Sequence, residues 1–310
     1  MKFLLTGDIH SRVDQPIAIK TDYIEYQTKV FQWLDNLAKE YQAQILCSGD
    51  VVHKANNRFT NELAHFLMDN MPIMIGIAGN HDEPNHSLEL MKNATLSQVI
   101  RQGKYYFIDD EIELRLNNHA KETYAIIKEY LDNEGISLHG FSFGKQITIP
   151  TELTKTNIAI YHGMVLDKKS KFLKGHDASI LFKSFPEYEL ILTGDNHKKF
   201  IRKEKGRYLV NPGSLFVDDL SQNNYQPSVY LYDTDDRSLE EINVPLFDLE
   251  WNEDHIDDQK KKKDFSAFVN VVNKDYDVKL DFKQTMENII TTNNIETNVT
   301  NEIRNSFGEV

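Results

Sequence analysis

The sequence predicts an α/β protein in which a two-layer sheet core carries helices on its outer faces. Three observations carry that prediction. Five short apolar segments recur along the chain, and each runs directly into Asp, Asn or His: residues 3–7 into Asp8-Ile9-His10, 45–49 into Asp50, 73–79 into Asn80-His81-Asp82, 158–161 into His162, and 190–194 into Asp195-Asn196-His197. The first intervals between them have room and periodicity for a helix, which implies strand, helix, strand units with parallel pairing. The later half is strand-rich, with further segments near 208–210 and 229–232. A buried strand that stops at a small residue delivers the next polar side chain to the carboxyl edge of a sheet.

Taken in order, the first strand leads through a polar stretch holding Pro16 to Thr21, an expected N-cap for a helix reaching Tyr41. Val30, Leu34, Leu37 and Tyr41 keep the spacing of one buried face. The strand before Asp50 follows. Asn57 is the expected cap of a second helix with Phe59, Leu63, Phe66 and Leu67 as its apolar stripe, stopped at Met71-Pro72. A third helix is expected over 87–100, its stripe of Leu88, Met91, Leu96 and Val99 reading as core or, alternatively, as a dimer face. Strands are expected at 106–108 and 136–143, and a helix over 120–134 ended by Gly135, with strand as the alternative around 124–127.

Past Pro245 the composition shifts. An acidic stretch, 253–258, meets the basic block Lys260 to Lys263 and reads as a linker. Beyond it Phe265, Phe268, Val271, Val272, Leu280 and Phe282 could seed two short helices. The expected division is a domain over 1–245 and a small C-terminal segment over 246–310.

The chain has 310 residues, 40% of them hydrophobic, enough for a sizeable core. No apolar run approaches the roughly 20 residues a membrane span needs, so a cytoplasmic protein with no membrane partner is expected. Cys47 is the single cysteine, which excludes an intrachain disulfide framework, and its apolar setting reads as packing. A net charge of −13 opposes binding of a polyanion unless cations or local basic patches invert the field. Two basic clusters occur, one from Lys168 to Lys174 and one from Lys198 to Arg207. Both read equally as solvated loops, while the second, directly after His197, could also lie near substrate.

Asp, Asn and His form a hard to borderline donor set without thiolate, suited to manganese, iron, zinc or magnesium. Two such ions about 3.5–4 Å apart, sharing a carboxylate, can drive phosphoryl displacement. Asp50 is the candidate for the shared position.

The motifs Gly7-Asp8-Ile9-His10, Gly49-Asp50-Val51-Val52-His53, Gly79-Asn80-His81-Asp82, Tyr161-His162-Gly163 and Gly194-Asp195-Asn196-His197 resemble, in order and spacing, those of calcineurin-like metallophosphoesterases. His53 three residues after Asp50, the approach Phe185-Pro186-Glu187-Tyr188-Glu189-Leu190, and Asn211-Pro212-Gly213-Ser214 resemble the SbcD-type nuclease branch, partner of the SbcC-type ATPase. The resemblance covers Met1 to Tyr232. It implies a four-layer α/β/β/α sandwich with a small C-terminal appendage. It further implies two divalent ions, manganese foremost, with Asp8, His10 and His197 on the first, Asp50 bridging, and Asn80 and His162 on the second. By the same resemblance His81 assists the leaving oxygen, Asp82 orients His81, and His53 positions the scissile phosphate. Asp195 stands where the family usually has histidine. It is either a ligand of the second ion or the mark of a weakened second site.

The resemblance implies a DNA exonuclease or endonuclease in repair or recombination, a homodimer bound to an SbcC-type ATPase through the C-terminal segment. That segment is shorter here than is usual in the family. The alternatives are the same chemistry on small phosphodiesters, nucleotides or phosphoproteins, and a non-catalytic scaffold with an impaired second site.

Overall fold

The structure is a computed structural model that describes residues 1–56, 59–108, 118–168 and 174–252. Strand β1 (Lys2–Thr6) leads to helix α1 (Tyr23–Tyr41), and β2 (Ala43–Cys47) to α2 (Thr60–Asn70). After β3 (Met74–Gly76) come two 3₁₀ turns, Pro84–His86 and Leu88–Asn93, then α3 (Thr95–Arg101) and β4 (Tyr105–Phe107). Helix α4 (Asn118–Asn133) precedes β5 (Ile136–Phe141), β6 (Thr156–His162), β7 (Val165–Leu166), β8 (His176–Asp177) and α5 (Ala178–Ser184). The chain then adds β9 (Leu190–Gly194), β10 (Phe200–Glu204), β11 (Arg207–Asn211), β12 (Ser228–Asp233) and β13 (Ser238–Asn243).

One large sheet has the order β13-β12-β1-β2-β3-β4 and a second β10-β11-β9-β6-β5, while β7 and β8 pair separately as a two-stranded ribbon. Strands β1 to β4 pair in parallel, as do β5, β6, β9 and β11. Alternate side chains explain the layering. Phe3 and Leu5 of β1 face Ile158 and Ile160 of β6 and Leu190 and Leu192 of β9 in the core between the sheets. Leu4, Ile45 and Met74 turn outward against α1, α2 and α3. Ala159, Tyr161 and Ile191 turn the other way against Leu181 and Phe182 of α5. Both faces of these strands are buried, which is why they read as unbroken apolar runs. The expected α/β/β/α sandwich is the observed architecture, its fourth layer thinned to the short helix α5 and loops.

Several expectations shift in detail. The cap of α1 is Asp22, whose carboxylate accepts from the Glu25 N–H at 3.0 Å, and not Thr21. Asn57 lies outside the described residues. The third helix shortens to α3, because Ala94 is extended and the Ser97 hydroxyl takes the carbonyls of Lys92 and Ala94 that a continuous helix would use. Met91, Leu96 and Val99 are fully buried, so those three are core and not a dimer face, while the side chain of Leu88 lies outside the described residues. Residues 124–127 are helical. Residues 246–252 stay packed on the core that β1 to β3 share with α1, α2 and α3, through Leu246, Phe247, Leu249 and Trp251. The linker and the short helices expected beyond them lie outside the described residues. Among the described residues no helix is long and apolar enough to cross a membrane.

Candidate metal centre

Strand register brings the five motifs together. Thr6 stands opposite Cys47, Cys47 opposite Gly76 and, in the second sheet, His162 opposite Gly194. The residues that follow therefore emerge level, at one shared edge. Three of them leave their strands in the left-handed region, His10 at φ 52°, Asp50 at φ 49° and Asp195 at φ 73°. Such backbone persists in non-glycine residues only where the surroundings hold it. Here the Asp50 carbonyl accepts the N–H groups of Ile9 and His10 at 3.0 and 2.7 Å, and Asp8 Oδ1 accepts the Asp195 N–H at 3.1 Å.

Two groups of side chains converge on the edge: Asp8 with His10 and His197, and Asp8 with Asp50 and His162. His10 Nε2 and His197 Nε2 lie 3.0 Å apart, and Asp8 Oδ2 is buried with no hydrogen-bond partner. Burial holds the His10 imidazole down to about 3, against the pull of Asp50, so it is neutral. The two imidazole nitrogens and the Asp8 oxygen thus face a common point, an arrangement of nitrogen and oxygen donors that suits a divalent cation. In the second group the Nδ1 of His162 is 2.7 Å from the Ser48 carbonyl, which fixes a proton on that nitrogen. Its Nε2 is left toward Asn80 Oδ1 at 3.1 Å and Asp50 Oδ2 at 3.5 Å. Burial would discharge His162, but Asp50 and Asp8 outweigh it and raise it to about 10. Burial, assisted by Asp50, pushes the Asp8 carboxyl up to about 8. The donor set fits divalent cations and does not fit a thiolate-type centre. Cys47 is wholly buried, its thiol pushed up to about 12 by that burial.

The sequence matches the calcineurin-like phosphoesterase superfamily domain over residues 1–237. The chain belongs to that superfamily. Among solved structures it is similar to an archaeal phosphodiesterase, at 13% identity over 79% of this chain and 100% of that one, with a TM-score of 0.37. It is similar also to zinc-complexed Vps29 from Entamoeba histolytica, at 16% identity over 81% and 97% with a TM-score of 0.36. A third is a protein assigned as a 5'-nucleotidase from Staphylococcus aureus, at 13% identity over 85% and 58% with a TM-score of 0.45. No curated protein matches the sequence.

Around this superfamily centre His10, His53 and His81 form a third group. The His81 N–H donates to Asp50 Oδ1 at 2.8 Å, and its Nδ1 lies 2.6 Å from the His53 carbonyl. That carbonyl, and not Asp82, orients the ring. Asp82 instead accepts the N–H groups of Val51, Val52 and Gly79, tying the Asp50 turn to the Asn80 turn. Among the described residues the Asp195 carboxylate joins none of the three groups; its N–H donates to Asp8 Oδ1, and its charge acts on Asp8 and His197. Sequence reasoning missed Ser48, whose carbonyl is invisible as chemistry, and the pair Arg12 and Asp218. Arg12 reaches Asp218 at 3.2 Å and Asp14, and Asp218 lies 4.0 Å from His53 Nδ1. An arginine two residues after His10 was the available signal.

The second basic cluster is largely used by the fold. Lys199 bonds Glu241, Ser228 and the Gln226 carbonyl. Arg202 pairs with Asp167, and Arg207 holds the Tyr188 and Phe185 carbonyls. Asn211 shapes its turn by accepting the Gly213 N–H at 2.8 Å.

Proposed function

We propose that this metallophosphoesterase is a two-metal phosphodiesterase that cleaves DNA, paired with an SbcC-type ATPase. The observation that carries the nuclease reading is His53, a histidine beyond those needed to hold cations. Its ring lies 6.0 Å from that of His10 and 5.9 Å from that of His81, at the open side of the centre. In this reading Asp8, His10 and His197 hold one cation, Asp50 is shared, and Asn80 and His162 hold the other. When bound, the cations supply charge that offsets the phosphate oxygens and ease loss of a proton from water. The His53 imidazole positions a non-bridging phosphate oxygen. His81, with Nδ1 tied to the His53 carbonyl, has Nε2 left to give a proton to the departing sugar oxygen. Asp82 keeps the two turns that carry Asp50 and His81 in register.

The test is manganese-dependent cleavage of linear duplex DNA. Asp50→Ala should abolish it, and His81→Ala should slow it by about 10²-fold or more. Retained cleavage in both variants overturns the reading. A second reading, small phosphodiesters or nucleotides as substrates, is favoured by the net charge of −13 and by the engagement of Lys199, Arg202 and Arg207 within the fold. Turnover of a chromogenic diester without cleavage of DNA would select it.

A further inference from the structure

We infer that Phe143 and His86 form an aromatic shelf that stacks a nucleoside of the substrate beside the scissile phosphate. The inference rests on the phosphodiesterase reading above and specifies what lies next to the phosphorus.

Two hollows adjoin the metal centre. One, of about 370 Å³, is lined by His53, Asn80, His81 and His86, and the other, of about 540 Å³, by Phe143, His162 and Asp195. Asn80 of the first and His162 of the second stand side by side, Oδ1 and Nε2 3.1 Å apart. The Phe143 ring neighbours one residue of each lining, 5.8 Å from the His86 ring at 47° and 6.3 Å from the His162 ring at 69°. Phe143 is half-buried and belongs to none of the three hydrophobic cores among the described residues. A large aromatic side chain with no core to fill, fixed beside a reaction centre, is placed for a ligand.

Backbone holds both rings where they are. The Phe143 N–H donates to the Ala78 carbonyl at 3.0 Å, which ties the shelf to the strand segment before Asn80. Asn85 and His86 stand in succession in the left-handed region, at φ 54° and 53°, directly after Pro84. Two consecutive non-glycine residues of that kind cluster at sites where strain serves a geometry. Here the geometry is an exposed imidazole held against Phe143. Every nucleobase offers a π-face, so stacking selects nucleosides without reading sequence. A phosphoserine or a sugar phosphate would leave the shelf bare.

The experiment uses the full chain with Mn²⁺ and two diesters that share a leaving group, thymidine 5'-(4-nitrophenyl phosphate) and methyl 4-nitrophenyl phosphate. The wild type should favour the nucleoside ester in kcat/KM by about tenfold or more. Phe143→Ala and His86→Ala should each bring that ratio toward one, mainly through KM, and Phe143→Trp should keep it. Equilibrium binding of thymidine 5'-monophosphate against methyl phosphate, read by calorimetry, gives the same preference without turnover. Equal turnover and equal binding of the two ligand classes by the wild type overturns the shelf while leaving the diesterase reading intact. A fall in both esters by the same factor in Phe143→Ala also overturns it, making Phe143 a buttress for His162 only. If neither ester is hydrolysed the diesterase reading fails, and the binding preference alone decides the shelf.

Discussion

Gly79 shows how little room a single residue leaves at this centre. A Cβ there would stand 2.0 Å from Asp50 Oδ1 and 2.5 Å from the Asp50 nitrogen, so carboxylate and backbone would both have to move. The same N–H that glycine supplies at this position donates to Asp82 Oδ2 at 2.9 Å. Gly79→Ala should therefore shift the Asp50 carboxylate, and a displacement of about 1 Å in a reacting group costs on the order of 10²-fold in rate. Phosphodiester turnover with titrated Mn²⁺ is the measurement. A loss that excess metal fails to restore is the expected result, and full activity at ordinary metal levels would show that the Asn80 turn can slide. The neighbouring Asp82 is a buried carboxyl raised to about 7 by that burial and by Asp50, with its three N–H donors pulling the other way. Its work is holding loops, and the sequence, which shows only an acid beside a histidine, invites a different assignment.

Helix α1 is the element that ties the outer layer to the centre. Its Leu34 is fully buried between the helices and the first sheet, while Gln27 on the same helix accepts the Ser11 hydroxyl at 2.8 Å and donates to the Arg12 carbonyl at 2.7 Å. Leu34→Ala should cost about 2–5 kcal/mol in urea unfolding. Turnover at a temperature where the variant remains folded should not change, because the cavity lies far along the helix from Gln27. Legibility in the sequence follows the same physics. The strands buried on both faces, such as β6 and β9, were readable because nothing polar interrupts them, and with them came the five motifs of the centre. Strand β13, Ser238-Leu239-Glu240-Glu241-Ile242-Asn243, lies at a sheet edge with mostly exposed side chains and carries almost no apolar signal. Strand β10 likewise reads as a basic loop, since Arg202 and Lys203 mask its pairing with β11. The break before α3 depends on a serine side chain bonding backward, which periodicity does not report. Which carbonyl orients His81 was equally out of reach, because every residue has one.

Across the whole molecule, the sandwich spends stability to bring two carboxylates and a cluster of imidazoles to one buried edge, and pH exposes that tension. In the metal-free protein His162 is raised from 6.5 to about 10, with burial opposing and Asp50 and Asp8 prevailing, so the native state holds a proton that the unfolded chain releases above pH 6.5. Asp8, raised from 3.8 to about 8 by burial, adds the same sign over its own window. Where the native state binds more protons, stability falls as pH rises. His10, lowered from 6.5 to about 3 by burial, has the opposite sign, but its window closes at 6.5. Between pH 6.5 and 8 the Asp8 and His162 contributions therefore destabilise the metal-free fold, joined by Asp82 up to about 7, and His162 continues to do so toward 10. Cations held by Asp8, Asp50 and His162, as proposed above, would replace those protons, so binding should release protons and strengthen with pH. Thermal unfolding in chelator should show Tm falling from pH 6.5 to 9, while excess Mn²⁺ should raise Tm by a margin that widens over the same interval. Calorimetric titration with Mn²⁺ at pH 7 in buffers of different ionisation enthalpy should report proton release. A margin that narrows with pH, or no proton release, would mean that the buried edge is already deprotonated and that Asp8, Asp50 and His162 are not where the cations bind.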